Sequence, residues 1–211
     1  MSSNIRSLSV GLLQTNCYIV KTSGFLGVID PGDSFMRIDS ALEGSVPTHV
    51  ILTHSHFDHI GALKELLDKY PSAVFCIGEH EDLSYDSMAG VAQSILGRFF
   101  ASRGYDKRIS DLPSPLLLKD GDTLGPFTVF HTPGHTSGSI CLYDEADRAL
   151  FSGDTLFYHS YGRCDLGGDE TQMVESLKRI LALPEDVTVY PGHGEITSIG
   201  EERSFFGLSV L

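Results

Sequence analysis

The sequence is poor in basic residues, and this scarcity limits the partners that the chain can bind. It has 15 Lys and Arg against 28 Asp and Glu among 211 residues, which gives a formal net charge of −13 at pH 7. A surface this acidic repels a phosphate backbone at long range. We therefore expect a small-molecule substrate and no nucleic-acid partner, while the composition leaves the oligomeric state open.

Long apolar runs and paired cysteines are also missing. No run approaches the roughly 18 apolar residues that a membrane-spanning helix needs, which argues against a membrane protein. The N-terminal segment lacks the continuous apolar core and the small-residue cleavage site of a secretory signal. The four cysteines are far apart and form no Cys-x-x-Cys pair, so we expect reduced thiols. Together these absences predict a cytoplasmic protein without membrane contact.

The composition that is present is ordinary for a globular domain. Hydrophobic residues make up 41% of the chain, charged residues 20% and aromatic residues 9%, which excludes disordered and collagen-like chains. Neither a linker nor a repeat separates the two halves of the sequence. We therefore predict a single domain that spans residues 1–211.

Short strand-like runs alternate with helical patterns in two groups along the chain. Apolar and β-branched runs between Gly, Pro and Thr predict strands at residues 17–20, 26–29, 48–53, 74–77, 127–131, 139–143, 149–152 and 187–190. Helical spacing of apolar residues predicts helices after Asp33-Ser34, at 58–69 and at 171–183. Residues 79–119 are predicted to form a helical excursion that covers a site, or alternatively a plain surface hairpin. The pattern indicates a layered α/β domain that the strand at 187–190 closes.

A histidine-rich motif follows the predicted strand at 48–53. The chain reads THSHFDHIG, which places His54, His56, Asp58 and His59 within six residues. In an extended segment residues two apart face the same way, whereas Asp58 and His59 open the following helix and face a neighbouring point. Imidazole and carboxylate groups are the ligands that divalent metal ions take in proteins. This one loop could therefore serve two adjacent metal ions.

Three further candidate ligands stand just after other predicted strands. They are His135 in HTPGHTSGS, Asp154 in FSGDTLF and His193 in VYPGHGE. Taken singly, each is as well explained as a turn residue beside glycine. Because all three join a complete His-x-His-x-Asp-His motif, we predict that they complete a metal centre.

These motifs, together with TNCYIV, GVIDPG and YGRCDLGGD, resemble the metallo-β-lactamase-fold superfamily over nearly the whole chain, and within it the single-domain, glyoxalase II-like branch. The resemblance implies an α/β fold of four layers, an αββα sandwich with metal ions at one end of its two sheets. It also implies that His54, His56 and His135 bind one metal ion, that Asp58, His59 and His193 bind a second, and that Asp154 bridges the two. Zinc is the expected metal, with iron and manganese as alternatives.

The same resemblance implies a metal-dependent hydrolase of thioesters such as S-lactoylglutathione, related to hydroxyacylglutathione hydrolase. Two divalent ions about 3.5–4 Å apart can share a hydroxide at neutral pH, because they lower the pKa of water towards about 7. This hydroxide would attack the carbonyl carbon, with Asp58 orienting the water as a catalytic residue. Two alternatives remain: an iron-dependent persulfide dioxygenase, and a lactone or ester hydrolase. A β-lactamase is disfavoured, because Asp154 stands where those enzymes commonly have cysteine.

Two more residues have a predicted role beside an alternative one. Asp30 in VIDPG resembles a recurring acid that accepts a ring N–H from a ligand histidine, or else it forms the turn before Pro31. Arg163 is predicted to bind a substrate carboxylate, or else it pairs with Asp165. Long glyoxalase II enzymes have Lys-x-Tyr where this chain has Arg163-Cys164-Asp165, and only 18 residues follow His193. The long enzymes also have a C-terminal helical domain that helps to hold glutathione, and we expect this chain to lack it. The resemblance therefore leaves open whether glutathione is the acyl carrier.

Overall fold

Residues 3–83 and 112–207 are described by the computed structural model, and they build two six-stranded sheets. The first sheet has the strand order β1-β2-β3-β4-β5-β6. Its strands are β1 (Asn4–Val10), β2 (Thr15–Thr22), β3 (Phe25–Ile29), β4 (His49–Ile51), β5 (Val74–Gly78) and β6 (Leu116–Leu118). The first three strands are antiparallel neighbours, and β3 to β6 run parallel. The carboxyl ends of β3, β4 and β5 therefore meet at one edge.

The second sheet has the order β12-β11-β10-β9-β8-β7. Its strands are β7 (Thr123–Leu124), β8 (Phe127–His131), β9 (Ile140–Asp144), β10 (Ala149–Gly153), β11 (Thr188–Pro191) and β12 (Thr197–Ser198). Strand β9 is antiparallel to both β8 and β10, and β11 is parallel to β10. The carboxyl ends of β8, β10 and β11 therefore lie at the same edge of this sheet.

Five helices lie among the described residues. They are α1 (Phe35–Ala41), α2 (Phe57–Ile60), α3 (Leu63–Lys69), α4 (Glu170–Leu181) and α5 (Ile199–Phe206). Helix α4 begins at the N-cap Asp169, whose side chain accepts a hydrogen bond from the Gln172 amide. Its apolar stripe includes Met173 and Leu177, which are buried against the second sheet. None of these helices is long and apolar enough to cross a membrane.

Alternation along the strands divides the core into three layers. In β2, Cys17 and Ile19 pack with α1 and α3, whereas Tyr18 and Val20 face the second sheet. In β9, Ile140 and Leu142 face the first sheet, while Cys141 and Tyr143 pack with α4. Successive side chains of a strand point to opposite faces, so each sheet buries both of its faces. The layer order is helix, sheet, sheet, helix, and the predicted four-layer αββα sandwich is confirmed.

The structure adds strands β1 and β7 to the predicted ones, and it differs from the sequence prediction in three further places. The single helix predicted at 58–69 is divided into α2 and α3, because the Ala62 amide donates to Pro31 O and Gly32 packs on the Asp58 carbonyl. The strand at 187–190 does not close the chain, since β12 and α5 follow it. Most of the predicted helical excursion, residues 84–111, lies outside the described residues. Its end differs from the prediction, because Leu116–Leu118 forms β6 beside β5.

Candidate metal centre

The segment after β4 places four candidate ligands around one turn. The chain bends at His54, and His56 is the extended N-cap of α2, so Asp58 and His59 lie in the one turn of that helix. The segment is anchored by Asp30, which accepts hydrogen bonds from the amide and the hydroxyl of Thr53 at 2.8 and 2.7 Å. The same carboxylate lies 3.1 Å from Nδ1 of His59. Asp30 therefore contacts a candidate ligand and also holds the strand end that presents the others.

Three histidines form the first group, with nitrogen atoms that all lie within 4.8 Å of one another: His54, His56 and His135. Nε2 of His135 lies 2.7 Å from Nδ1 of His56. Nδ1 of His135 is 2.7 Å from the Arg163 carbonyl oxygen, to which it can only donate. Nε2 of His135 is then left as an acceptor facing the group. This orientation suits a metal ligand.

The second group consists of Asp58, His59 and His193, whose ligand atoms also lie within 4.8 Å of one another. Oδ2 of Asp58 lies 3.1 Å from Nε2 of His193 and 3.6 Å from Nε2 of His59. Nδ1 of His193 lies 3.2 Å from the Leu13 carbonyl oxygen. The two histidines therefore present their Nε2 atoms to the carboxylate.

Asp154 lies between the two groups. Its Oδ1 is 3.3 Å from Nε2 of His59, and its Oδ2 is 3.5 Å from Nε2 of His135 and 3.7 Å from Nε2 of His193. Gly192 allows this close arrangement, because a Cβ there would lie 2.3 Å from Oδ1 of Asp154. Oδ1 thus faces the second group, and Oδ2 lies between a histidine of the first group and a histidine of the second, so the carboxylate contacts both groups.

The electrostatics of the site suit a divalent cation. Burial and the neighbouring histidines lower the pKa of His54, and burial together with His135 lowers the pKa of His56 to about 4. Burial alone would raise the pKa of Asp58, but His59 and His193 hold it well below its usual value. Neutral imidazole and ionised carboxylate are the forms that bind metal. In the second group burial lowers the pKa of His59 and His193, but Asp58 and Asp154 outweigh it and raise both, so a metal ion binding there would displace protons.

One nitrogen of the first group provides an independent test of whether the site fits a metal ion. Nε2 of His54 is buried and has no hydrogen-bond partner among the described residues. Nδ1 of the same ring lies 3.1 Å from the Thr53 hydroxyl, so Nε2 is the atom that points into the group. A buried polar atom without a partner calls for an explanation, and a metal ion provides one.

A cavity of about 350 Å³ opens onto both groups. Its apolar lining comes from four residues on three segments of the chain: Leu13, Phe57, Phe157 and Leu166. Arg163 also lines the cavity, but its guanidinium donates two hydrogen bonds of 2.6 Å to Asp165. The ion pair between Arg163 and Asp165, which the sequence analysis gave as the alternative role of Arg163, is therefore present at the cavity.

Sequence reasoning assigned no role to three polar residues that hold this site. Thr15 donates a 3.0 Å hydrogen bond to Oδ2 of Asp58. Nδ2 of Asn16 donates to the carbonyl oxygens of Pro191 and Gly194, each at 3.0 Å, on either side of His193. The third is Glu81, which contacts the loops of the first group. Thr15 and Asn16 stand in the TNCYIV motif, whereas Glu81 has no motif that could have identified it.

Several known proteins are similar to this chain in sequence and in fold. "Hydroxyacylglutathione hydrolase GloC" of Haemophilus influenzae is 29% identical over 209 residues, covering 95% of each chain. The structure of TTHA1623 in a di-iron-bound form is 34% identical with a TM-score of 0.80, covering 93% of this chain and 96% of the other. The structure of BLEG-1 B3 metallo-beta-lactamase is 35% identical with a TM-score of 0.82, covering 95% and 97%.

The family profile described as "Metallo-beta-lactamase superfamily" matches residues 10–193. This match includes every residue of the two groups and Asp154, and it confirms the resemblance inferred from the motifs. The chain therefore belongs to the metallo-β-lactamase superfamily, as a hydrolase-like enzyme whose clustered His and Asp side chains are suited to binding metal.

Proposed function

We propose that this protein is a dinuclear metal-dependent hydrolase that cleaves a thioester such as S-lactoylglutathione. The observation that carries the proposal is the position of Asp154, whose carboxylate contacts histidines of both three-residue groups. The similarity to a hydroxyacylglutathione hydrolase over 95% of the chain supports a thioester as the substrate.

The proposed site holds two divalent metal ions, one in each group, with Asp154 between them. We propose zinc, because histidine nitrogen and carboxylate oxygen are ordinary zinc ligands. Iron and manganese are the alternatives, and iron is supported by the di-iron form of TTHA1623. When bound, such ions would activate a water molecule and polarise the substrate carbonyl.

The side chains of this protein supply orientation, exclusion of water and a substrate contact. Asp58 is held by the Thr15 hydroxyl and lies against His193, so its carboxylate can orient a water molecule at the cavity. The apolar residues Leu13, Phe157 and Leu166 shield the same space from bulk water. Arg163 is proposed to contact a substrate carboxylate at the cavity, exchanging its exposed partner Asp165 for the substrate.

A second candidate, β-lactam hydrolysis, is favoured by the similarity to BLEG-1. The leaving groups distinguish the two reactions. A thiol with a pKa of about 8.5 departs as the thiolate, whereas an amine nitrogen needs a proton. Among the described residues lining the cavity, the acids are Asp58 and Asp154, both within the proposed metal groups. The lining thus offers no separate acid to protonate nitrogen, so we place thioester hydrolysis first.

The test is to purify the protein without added metal, to measure its metal content by elemental analysis, and to assay it on several substrates. We expect two metal ions per chain and hydrolysis of S-lactoylglutathione. One iron per chain with oxygen uptake on a persulfide would instead identify a dioxygenase. Hydrolysis of a lactone, or of a chromogenic cephalosporin, without turnover of any thioester would also contradict the proposal.

A further inference from the structure

Glu81 connects the two loops that carry the first group of histidines. It follows β5 in the first sheet and is half-buried. Ser55, which lies between His54 and His56, contacts one carboxylate oxygen of Glu81. Thr136 directly follows His135 in the loop after β8 of the second sheet, and it contacts the other carboxylate oxygen of Glu81. One side chain therefore spans both sides of the sandwich at the metal centre.

The side-chain hydrogen bonds of Glu81 all end on its carboxylate, and two of them are short. Oε1 accepts from the amide of Ser55 at 3.0 Å and from its hydroxyl at 2.6 Å. Oε2 accepts from the hydroxyl of Thr136 at 2.6 Å. Three donors aimed at two oxygens match an ionised carboxylate, which only accepts hydrogen bonds. The backbone is also tightly packed here, because a Cβ on Gly138 would lie 2.1 Å from the Glu81 amide nitrogen.

The contacts of Glu81 hold the residues next to the first group, Ser55 and Thr136, and not those next to the second group. The first group consists of three histidines and has no carboxylate among its members, whereas the second group has a carboxylate of its own in Asp58. Glu81 brings negative charge close to the imidazoles of the first group. It also fixes the distance between the loops of Ser55 and Thr136, which are 81 positions apart in the chain.

We propose that Glu81 is a positioning residue that sets the geometry of His54, His56 and His135 and selectively raises the affinity of this group for a divalent cation. The inference rests on the metal centre within the proposed function, but it does not depend on the thioester substrate. Residues that hold metal ligands in place commonly alter metal affinity by about 10- to 100-fold when replaced.

The experiment compares Glu81→Ala and Glu81→Gln with the unaltered protein by titration with cobalt(II), followed by its visible absorption, and by competition with a chelator. We expect Glu81→Ala to weaken one of the two binding steps by about 10- to 100-fold and to leave the other unchanged. Glu81→Gln keeps an acceptor for Ser55, and the Thr136 hydroxyl can turn to accept from its amide. This variant should therefore keep the absorption spectrum of the unaltered protein but bind more weakly, since it lacks the charge.

Glu79→Gln is the matched control, because Glu79 is two residues away from Glu81. Within the described part of the chain, its ion-pair partners are His80 at 3.5 Å and Lys119 at 3.8 Å, both at the surface. It should bind both ions as the unaltered protein does. Unchanged affinity in Glu81→Ala would overturn the proposal, and so would equal weakening of both steps, which would indicate a general structural role. Since the readout is metal affinity, a lack of thioester turnover would count against the proposed function alone.

Discussion

Asp154 is the residue whose charge the proposed centre depends on most, because its carboxylate is buried between two groups of imidazoles. Asp154→Asn keeps the shape of the side chain but removes one negative charge among cations. We expect metal retention and hydrolysis to fall together, since a neutral amide bridges two cations poorly. Elemental analysis and steady-state assays of the purified variant provide the measurement.

The control for this change is Asp186→Asn, because Asp186 is exposed and its carboxylate lies 3.9 Å from Nε of Arg148. It should retain both metal content and turnover. An Asp154→Asn protein that keeps two metal ions and full activity would show that Asp154 does not bridge.

Arg163 and Asp165 form the exposed pair at the cavity, and solvent screening makes such pairs weak. If a substrate carboxylate takes the place of Asp165, Arg163→Ala should raise KM for S-lactoylglutathione and change kcat little, because the contact acts on ground state and transition state alike. Asp165→Asn should lower the same KM, because it frees the guanidinium.

A thioester without the glutathione carboxylates is the control substrate, and neither variant should alter its KM. Equal KM values on S-lactoylglutathione for the unaltered protein and Arg163→Ala would remove Arg163 from the substrate site.

At the scale of elements, the centre depends on how the β2 strand holds the turn after β11. Asn16 in β2 donates to carbonyl oxygens on both sides of His193. Asn16→Ala removes both hydrogen bonds and leaves the turn freer to move. We expect the affinity of the Asp58, His59 and His193 group to fall by about 10-fold, measured by the same cobalt titration.

Asn4→Ala is the natural control, since Asn4 is exposed in β1. It should not affect either binding step. If Asn16→Ala leaves both steps unchanged, β2 does not position His193.

At the scale of the whole molecule, the candidate ligands come from both sheets, so bound metal ions would tie the two halves together. A metal that binds the native state alone stabilises it by about 2.7 kcal/mol when its free concentration is 100 times Kd. For a chain of this size we expect chelation to lower Tm by about 5–10 °C. Differential scanning calorimetry with and without chelator measures this shift.

Asp154→Asn should show a smaller Tm difference on chelation than the unaltered protein. An unaltered protein that melts at the same temperature with and without chelator would contradict a metal centre that spans the sheets.

The sequence by itself determined a layered α/β domain, and the resemblance of its motifs to a known family implied the αββα order and named the side chains that lie together. Continuous apolar runs such as Cys17 to Val20 mark strands that are buried on both faces, because neighbouring side chains point to opposite faces. The histidines and aspartates of the site were visible because they stand in motifs beside glycine at strand ends. Their role as metal ligands stays a prediction, as does a single domain over the whole chain.

Only the tertiary structure decided which residues support the site. Asn16 and Pro191 are 175 positions apart, and Ser55 and Glu81 meet only because β4 and β5 are neighbours. The division between α2 and α3 likewise depends on Pro31, which lies on another segment. Local patterns such as alternation, capping and motif spacing depend on residues a few positions apart, so the chain displays them directly. Hydrogen bonds across the sandwich depend on how the sheets pack, which no short stretch of sequence contains.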